Sequence, residues 1–129
     1  MEIYFGKNQK VEAHHKGFVI QTDQPVKEGG DNEHPSPFDL FLASIGTCAA
    51  FYVKSFCQQR KIPDSDIKLS LKTHRDTNSG MVSKVDIDIL LPSDFPDKYK
   101  EAVIKSAHQC TVKKHLFEPP EFSINAHIG

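Results

Sequence analysis

Three cysteines, Cys48, Cys57 and Cys110, hold most of the reactive chemistry open to this chain. A thiolate is a nucleophile and a metal ligand, and an oxidised thiol can condense with a neighbouring one. An odd and sparse set of three is unlike the even, dense framework of a small secreted domain, so the thiols are expected to be reduced at rest. Cys48 stands in "ASIGTCAAF", among small and apolar residues, where a free cysteine is by default a small hydrophobe. Cys110 stands in "SAHQCTV", with His108 before it and Lys113, Lys114 and His115 after it. A metal held by Cys48, Cys110 and His108 or His115 would lack a fourth ligand and matches no strong zinc spacing, so neither metal nor cofactor is expected.

The elements that must position these thiols can be read from patterning. "SPFD" places Ser36 as N-cap, Pro37 at the first helical position and Asp39 where a carboxylate completes a capping box. Phe38, Leu42, Ile45, Ala49, Tyr52 and Phe56 then recur at helical spacing, which predicts a helix over about residues 37–61 that carries Cys48 and ends at "RKIP". Ala43, Gly46 and Ala50 make one side of it small, and a second helix is expected to approach there. Cys57 falls on the side opposite Cys48 and reads as core.

Ahead of this helix, "EIYF", "KVEAHH" and "GFVIQT" predict a meander of short strands, followed by the Gly- and Pro-rich loop "DQPVKEGGDNEHPSP". Asp23 and Asp31 in that loop could dress a pocket mouth, and turn chemistry explains both. After the helix, "DIKLSLKTHRD" and "MVSKVDIDILL" alternate across a turn and predict a hairpin with one wet face. "PSDFPDKYKEAVIKSAHQC" predicts a second helix, capped by Ser93 or Asp94 and ending at Cys110. Thr111 is then expected to cap a short turn, and "FSINAHI" to form a last strand.

Composition narrows the partners. The chain has 129 residues, a formal net charge of -1 and no block of like charges, which gives no footprint for nucleic acid or an anionic membrane. No apolar run is expected to reach the length of a membrane span, and a soluble, cytoplasmic protein is expected.

The stretch "GGDNEHPSPFDLFLASIGTCAAFYVKSF", followed two strands later by "SAHQCTV", resembles the osmotically inducible protein C family, which includes the organic hydroperoxide resistance proteins. Its marks are a cysteine in the central helix after an x-P-x-[D/E]-L stretch and a second cysteine in C-[P/T]-V, here Cys48 and Cys110. The resemblance implies an α+β fold over residues 1–129 as a single domain, with two central helices packed against antiparallel sheets in an intertwined homodimer. It also implies a thiol-dependent peroxidase for organic hydroperoxides: Cys48 attacks, Cys110 resolves the sulfenic acid as a disulfide, and a thiol reductant restores both.

In the hydroperoxide-resistance branch, an arginine from the early strands and a glutamate opening the central helix hold the reactive thiolate. This chain has only Arg60 and Arg75, and Phe38 stands at the glutamate's place with Asp39 next to it. A thiol in the middle of a helix gains little from the helix dipole, so Cys48 is expected to be only moderately acidic. His14, His15, Lys16, Lys113, Lys114 and His115 are the candidate substitutes for the arginine. Phe38, Asp39, Phe51 and Tyr52 are the candidate substrate contacts. The alternative is a small-molecule binding protein without turnover, with an apolar pocket at the dimer interface lined by residues such as Phe38, Phe51, Tyr52 and Phe56.

Overall fold

The computed structural model describes all of residues 1–129, which cluster into two compact units, 1–44 and 45–129. In the first, β1 (Glu2–Phe5), β2 (Val11–His15) and β3 (Phe18–Thr22) form the expected antiparallel meander in the order β1-β2-β3. His15 pairs with Phe18, so Lys16 and Gly17 alone make the turn, both at positive φ (52° and 82°). That backbone twist matches the twist of the strands it joins.

The loop after β3 is fastened from inside. The Asp23 carboxylate is fully buried and accepts the N–H groups of Gln24 (2.7 Å) and Glu33 (3.1 Å). Lys10 Nζ reaches Asp31 at 2.6 Å, Glu33 at 3.4 Å and Asp23 at 3.6 Å. Gly30 passes so close that a Cβ there would lie 2.0 Å from the Gln24 carbonyl oxygen. The chain then enters α1 (Pro37–Gln59) through the capping box expected of "SPFD". Ser36 Oγ accepts the Asp39 N–H at 3.1 Å, and Asp39 accepts the Ser36 N–H at 3.0 Å.

In the second unit, α1 buries Ile45, Ala49, Val53, Phe56 and Cys57, a stripe at helical spacing. β4 (Lys68–Arg75) and β5 (Val82–Leu90) form the hairpin, turned by Asp76, which accepts the N–H groups of Asn78 and Ser79 at 2.8 Å each. A short turn, Asp97–Tyr99, leads into α2 (Lys100–Ala107), and α3 (Thr111–Phe117) follows. Val53, Phe56, Cys57, Phe95 and Val103 form the core, with Ile67, Ile89 and Leu91 packed against it.

Several expectations are corrected. α1 stops at Gln59 because Lys61 turns into the left-handed region (φ 56°) and the Ile62 N–H closes on the Cys57 carbonyl at 2.9 Å. The second helix begins later than expected, without a side-chain cap from Ser93 or Asp94, and ends at Ala107. Cys110 does not end that helix. Its backbone is not helical (φ -47°, ψ 116°), and its sulfur caps α3 by accepting the Lys113 N–H at 3.3 Å, so Thr111 is the first helical residue and not the cap.

"FSINAHI" forms no strand. Residues 119–129 are exposed and without regular structure, since alternation alone cannot make a strand where no partner edge is supplied. The small side of α1 at Gly46 meets β4 and not a helix; a Cβ there would touch Leu71 at an ordinary 3.7 Å. α1 is also, by length and composition, long and apolar enough to cross a membrane, contrary to the expectation that no run approaches a span.

Candidate active site

Cys48 lies on α1 between Ile45 and Tyr52, which sit one turn before it and one turn after it on the same face. The segment that opens α3 runs against this face. Cys110, 1% exposed, has its thiol directed at the Ile45 carbonyl (3.9 Å) and within hydrogen-bonding reach of the Cys48 sulfur. Tyr52 Oη and Thr111 Oγ1 share a hydrogen bond of 2.9 Å. The start of α3 is therefore tied to α1 on both sides of Cys48.

The two thiols are driven apart in acidity. Burial works against a Cys48 thiolate, but the Val112 N–H, the Cys110 thiol and the Thr111 N–H all donate to it, and the net result lies below the ordinary thiol value. Cys110 goes the other way. Burial raises it most, its hydrogen bond with Cys48 and the charge there raise it further, and the N–H groups of Lys113 and Val112 only partly compensate. All three cysteines are free, so the arrangement is a partly exposed, acidified thiol beside a buried, neutral one that can donate to it. An acidified, accessible thiol next to a second thiol has the makings of a sulfenic acid and its resolving partner.

The sequence model of the OsmC-like protein family matches residues 30–125, a span that holds both cysteines. The chain belongs to the OsmC-like family. An uncharacterised protein of Methanocaldococcus jannaschii is 28% identical over 92 residues, 69% of this chain but 48% of that protein, so the match spans about half the length of this curated relative. A solved structure from Psychrobacter arcticus, provisionally named an osmotic stress induced and detoxification response protein, aligns with TM-score 0.75 at 23% identity, over 88% of this chain and 84% of that one. An organic hydroperoxide resistance protein from Elizabethkingia anophelis, with thiocyanate from the crystallant bound, aligns with TM-score 0.58 at 19% identity, over 88% and 84%. These likenesses establish the α+β OsmC-like fold.

Neither arginine is among the groups that shift the Cys48 thiol. Arg60 donates to the Phe56 carbonyl at 3.2 Å with its guanidinium 3.7 Å from the Phe56 ring centre, and Arg75 donates to the Gly80 carbonyl at 2.8 Å. Lys113 Nζ is bonded to His108 Nδ1 at 2.5 Å, and His115 Nδ1 donates to the Thr111 carbonyl at 2.7 Å. No cation contributes to the Cys48 shift; backbone N–H groups and a thiol do that work. Cys57 is fully buried in the core, and burial together with the Asp64 charge raises its thiol against the smaller, opposing effect of the Arg60 charge.

The expected substrate contacts fall into pairs. Phe51 (59% exposed) packs edge-to-face on Tyr52 with ring centres 5.3 Å apart, whereas Phe56 is buried in the core. Phe38 packs on Phe41 at 5.4 Å, and Asp39 is engaged with Ser36. A cavity of about 410 Å³ is lined by Ile45, Ile87, Val103 and Cys110, with the charged Asp88, Lys100 and Lys113 also in its lining. The residues that the sequence reading missed are Thr111 and Val112. Their contribution is made by backbone N–H groups, and one sign of it in the sequence is "CTV" itself, where a sulfur can start a helix.

Proposed function

We propose that this OsmC-like protein acts in redox or peroxide stress as a thiol-dependent peroxidase for organic hydroperoxides. Cys48 thiolate attacks the distal peroxide oxygen, the O–O bond breaks, and the organic alkoxide leaves as the alcohol after taking a proton. Cys48 becomes a sulfenic acid. The Cys110 sulfur then displaces its hydroxyl as water, giving a Cys48–Cys110 disulfide, and two equivalents of a thiol reductant return both cysteines to thiols. The observation that carries this reading is the placement of two free thiols within hydrogen-bonding reach, Cys48 partly exposed and Cys110 buried, with the Thr111 and Val112 N–H groups on the Cys48 sulfur. The Phe51 and Tyr52 rings are the proposed contacts for the organic part of the peroxide.

The working form is proposed to be a cytoplasmic homodimer. Only 28% of the apolar window of α1 is buried within one chain, and Phe117 and Phe122 are 79% and 87% exposed, leaving apolar surface for a second copy to cover. Light scattering at micromolar concentration should give twice the chain mass; a folded monomer, or protein recovered only with lipid, would refute this.

The peroxidase is tested with one equivalent of an organic hydroperoxide, followed by mass spectrometry. Cys48→Ser should abolish peroxide consumption. Cys110→Ser should allow one turnover and then accumulate over-oxidised Cys48, and the parent protein should carry a Cys48–Cys110 disulfide. A second reading, a binding protein without turnover, is supported by the apolar cavity beside Cys110. It takes over if all three thiols survive excess peroxide.

A further inference from the structure

We infer that Tyr52 is a positioning residue for Cys48: its hydroxyl, bonded to Thr111 Oγ1, holds the opening of α3 against α1 so that the Thr111 and Val112 N–H groups stay on the Cys48 sulfur. The inference rests on Cys48 being the working thiol, as proposed above.

The geometry leaves this task to Tyr52. The Cys110–Val112 segment is joined to α1 at two hydrogen-bonded points beside its contact with Cys48 itself. One is the Cys110 thiol, whose single proton is shared between the Ile45 carbonyl, at a weak 3.9 Å, and the Cys48 sulfur. The other is the 2.9 Å bond between Tyr52 and Thr111, with heavy atoms at ordinary hydrogen-bond separation. Cys110 is also the atom that must leave its place when it bonds to Cys48, because a disulfide brings the two sulfurs to about 2.05 Å. At that moment the first tie is lost and so is the α3 cap, since both use the Cys110 sulfur. The tie through Tyr52 uses neither cysteine and persists through the cycle.

Tyr52 is suited to this by its place one turn after Cys48 on the same face of α1, with its ring braced edge-on by Phe51. Of the titratable groups of α3, Lys113 is turned to His108 and His115 to the Thr111 carbonyl, and Lys114 is exposed. None of them bonds to the Tyr52 hydroxyl in place of Thr111.

The test is the pH dependence of Cys48 alkylation by iodoacetamide in the full-length reduced protein, read by peptide mass. Tyr52→Phe and Thr111→Val each remove the shared bond while keeping shape. Each should raise the midpoint by a few tenths of a unit and slow alkylation at pH 7 by about two-fold. The double variant should go no further than either single one, and Thr111→Ser, which keeps a hydroxyl, should return the parent midpoint. Thr111 is exposed, so its variants keep the test alive if Tyr52→Phe folds poorly. An unmoved midpoint in Thr111→Val, or shifts that add in the double variant, would overturn the inference. Because alkylation needs no peroxide, shifts as expected in a protein that consumes no hydroperoxide support the positioning role and count against the peroxidase alone.

Discussion

Replacing Thr111 by proline tests whether backbone N–H groups acidify Cys48. The substitution deletes one N–H that donates to the sulfur, and the local backbone is already suited to it. Thr111 is the first residue of α3, where proline is favoured because its φ fits and that N–H makes no bond within the helix. The preceding Cys110 (φ -47°, ψ 116°) lies outside the α region that a following proline disfavours. A hydrogen bond contributes about 0.5–1.5 kcal/mol net. At about 1.36 kcal/mol per pKa unit this gives a rise of roughly 0.4–1.1 units for Cys48. Cys48 is partly exposed, so water replaces some of the loss and the lower half of the range applies: about half a unit, or about three-fold slower alkylation at pH 7. The assay is the rate of Cys48 alkylation against pH, with Thr111→Val alongside to subtract the lost hydroxyl. Thermal stability should stay level or rise slightly, since proline restricts the unfolded chain. Equal midpoints for the proline and valine variants would refute the claim that the Thr111 N–H holds the thiolate.

Cys57→Ala should leave peroxide consumption unchanged but lower stability by about 1–2 kcal/mol in urea unfolding at fixed protein concentration, because it opens a void beside Val53, Phe95 and Val103; a neutral effect would mean that the core closes over the lost sulfur. Asp23 accepts the N–H groups of Glu33 and Gln24 and lies below its ordinary value despite burial. Its stabilisation is therefore present above the unfolded value of about 3.9 and lost as pH falls through the lower folded one. Asp23→Asn should be less stable than the parent at pH 7 and lose less on acidification below about pH 4; parallel urea midpoints across that range would contradict this. Gly30→Ala should cost about 1–3 kcal/mol, since its Cβ meets the Gln24 carbonyl, and hydrogen exchange at the Gln24 and Glu33 amides should accelerate; unchanged exchange would show that the loop gives way freely.

What could be read from the sequence followed how locally each feature is specified. The meander, the hairpin and the Ser36 capping box need only neighbours in sequence, and all three are present. The ends of the later helices were misplaced for a chemical reason. Serine, threonine and aspartate are the expected caps, yet a cysteine sulfur caps α3 while Ser93, Asp94 and Thr111 do not cap. "FSINAHI" failed as a strand because alternation specifies a face and not the edge that pairs with it.

The same limit explains why no charged residue in the sequence marks what acidifies Cys48. A charged side chain has a letter in the sequence; a backbone N–H does not, and any residue but proline can supply it. The absence of an early-strand arginine and a helix-opening glutamate shows only that the thiolate is not held in that way. In this chain the second cysteine begins a helix, and the N–H groups that follow it reach back to the first. Beside the "CTV" stretch, a second sign is Tyr52, read from periodicity as part of an apolar face although its hydroxyl is bonded to Thr111. A polar tip on such a face calls for a partner. Here that partner is the first residue of α3, so the turn from Cys110 to Val112 is shaped jointly by a helix before the hairpin and a segment after it. Their sequence separation of 59 residues is why the arrangement could be recognised only in three dimensions.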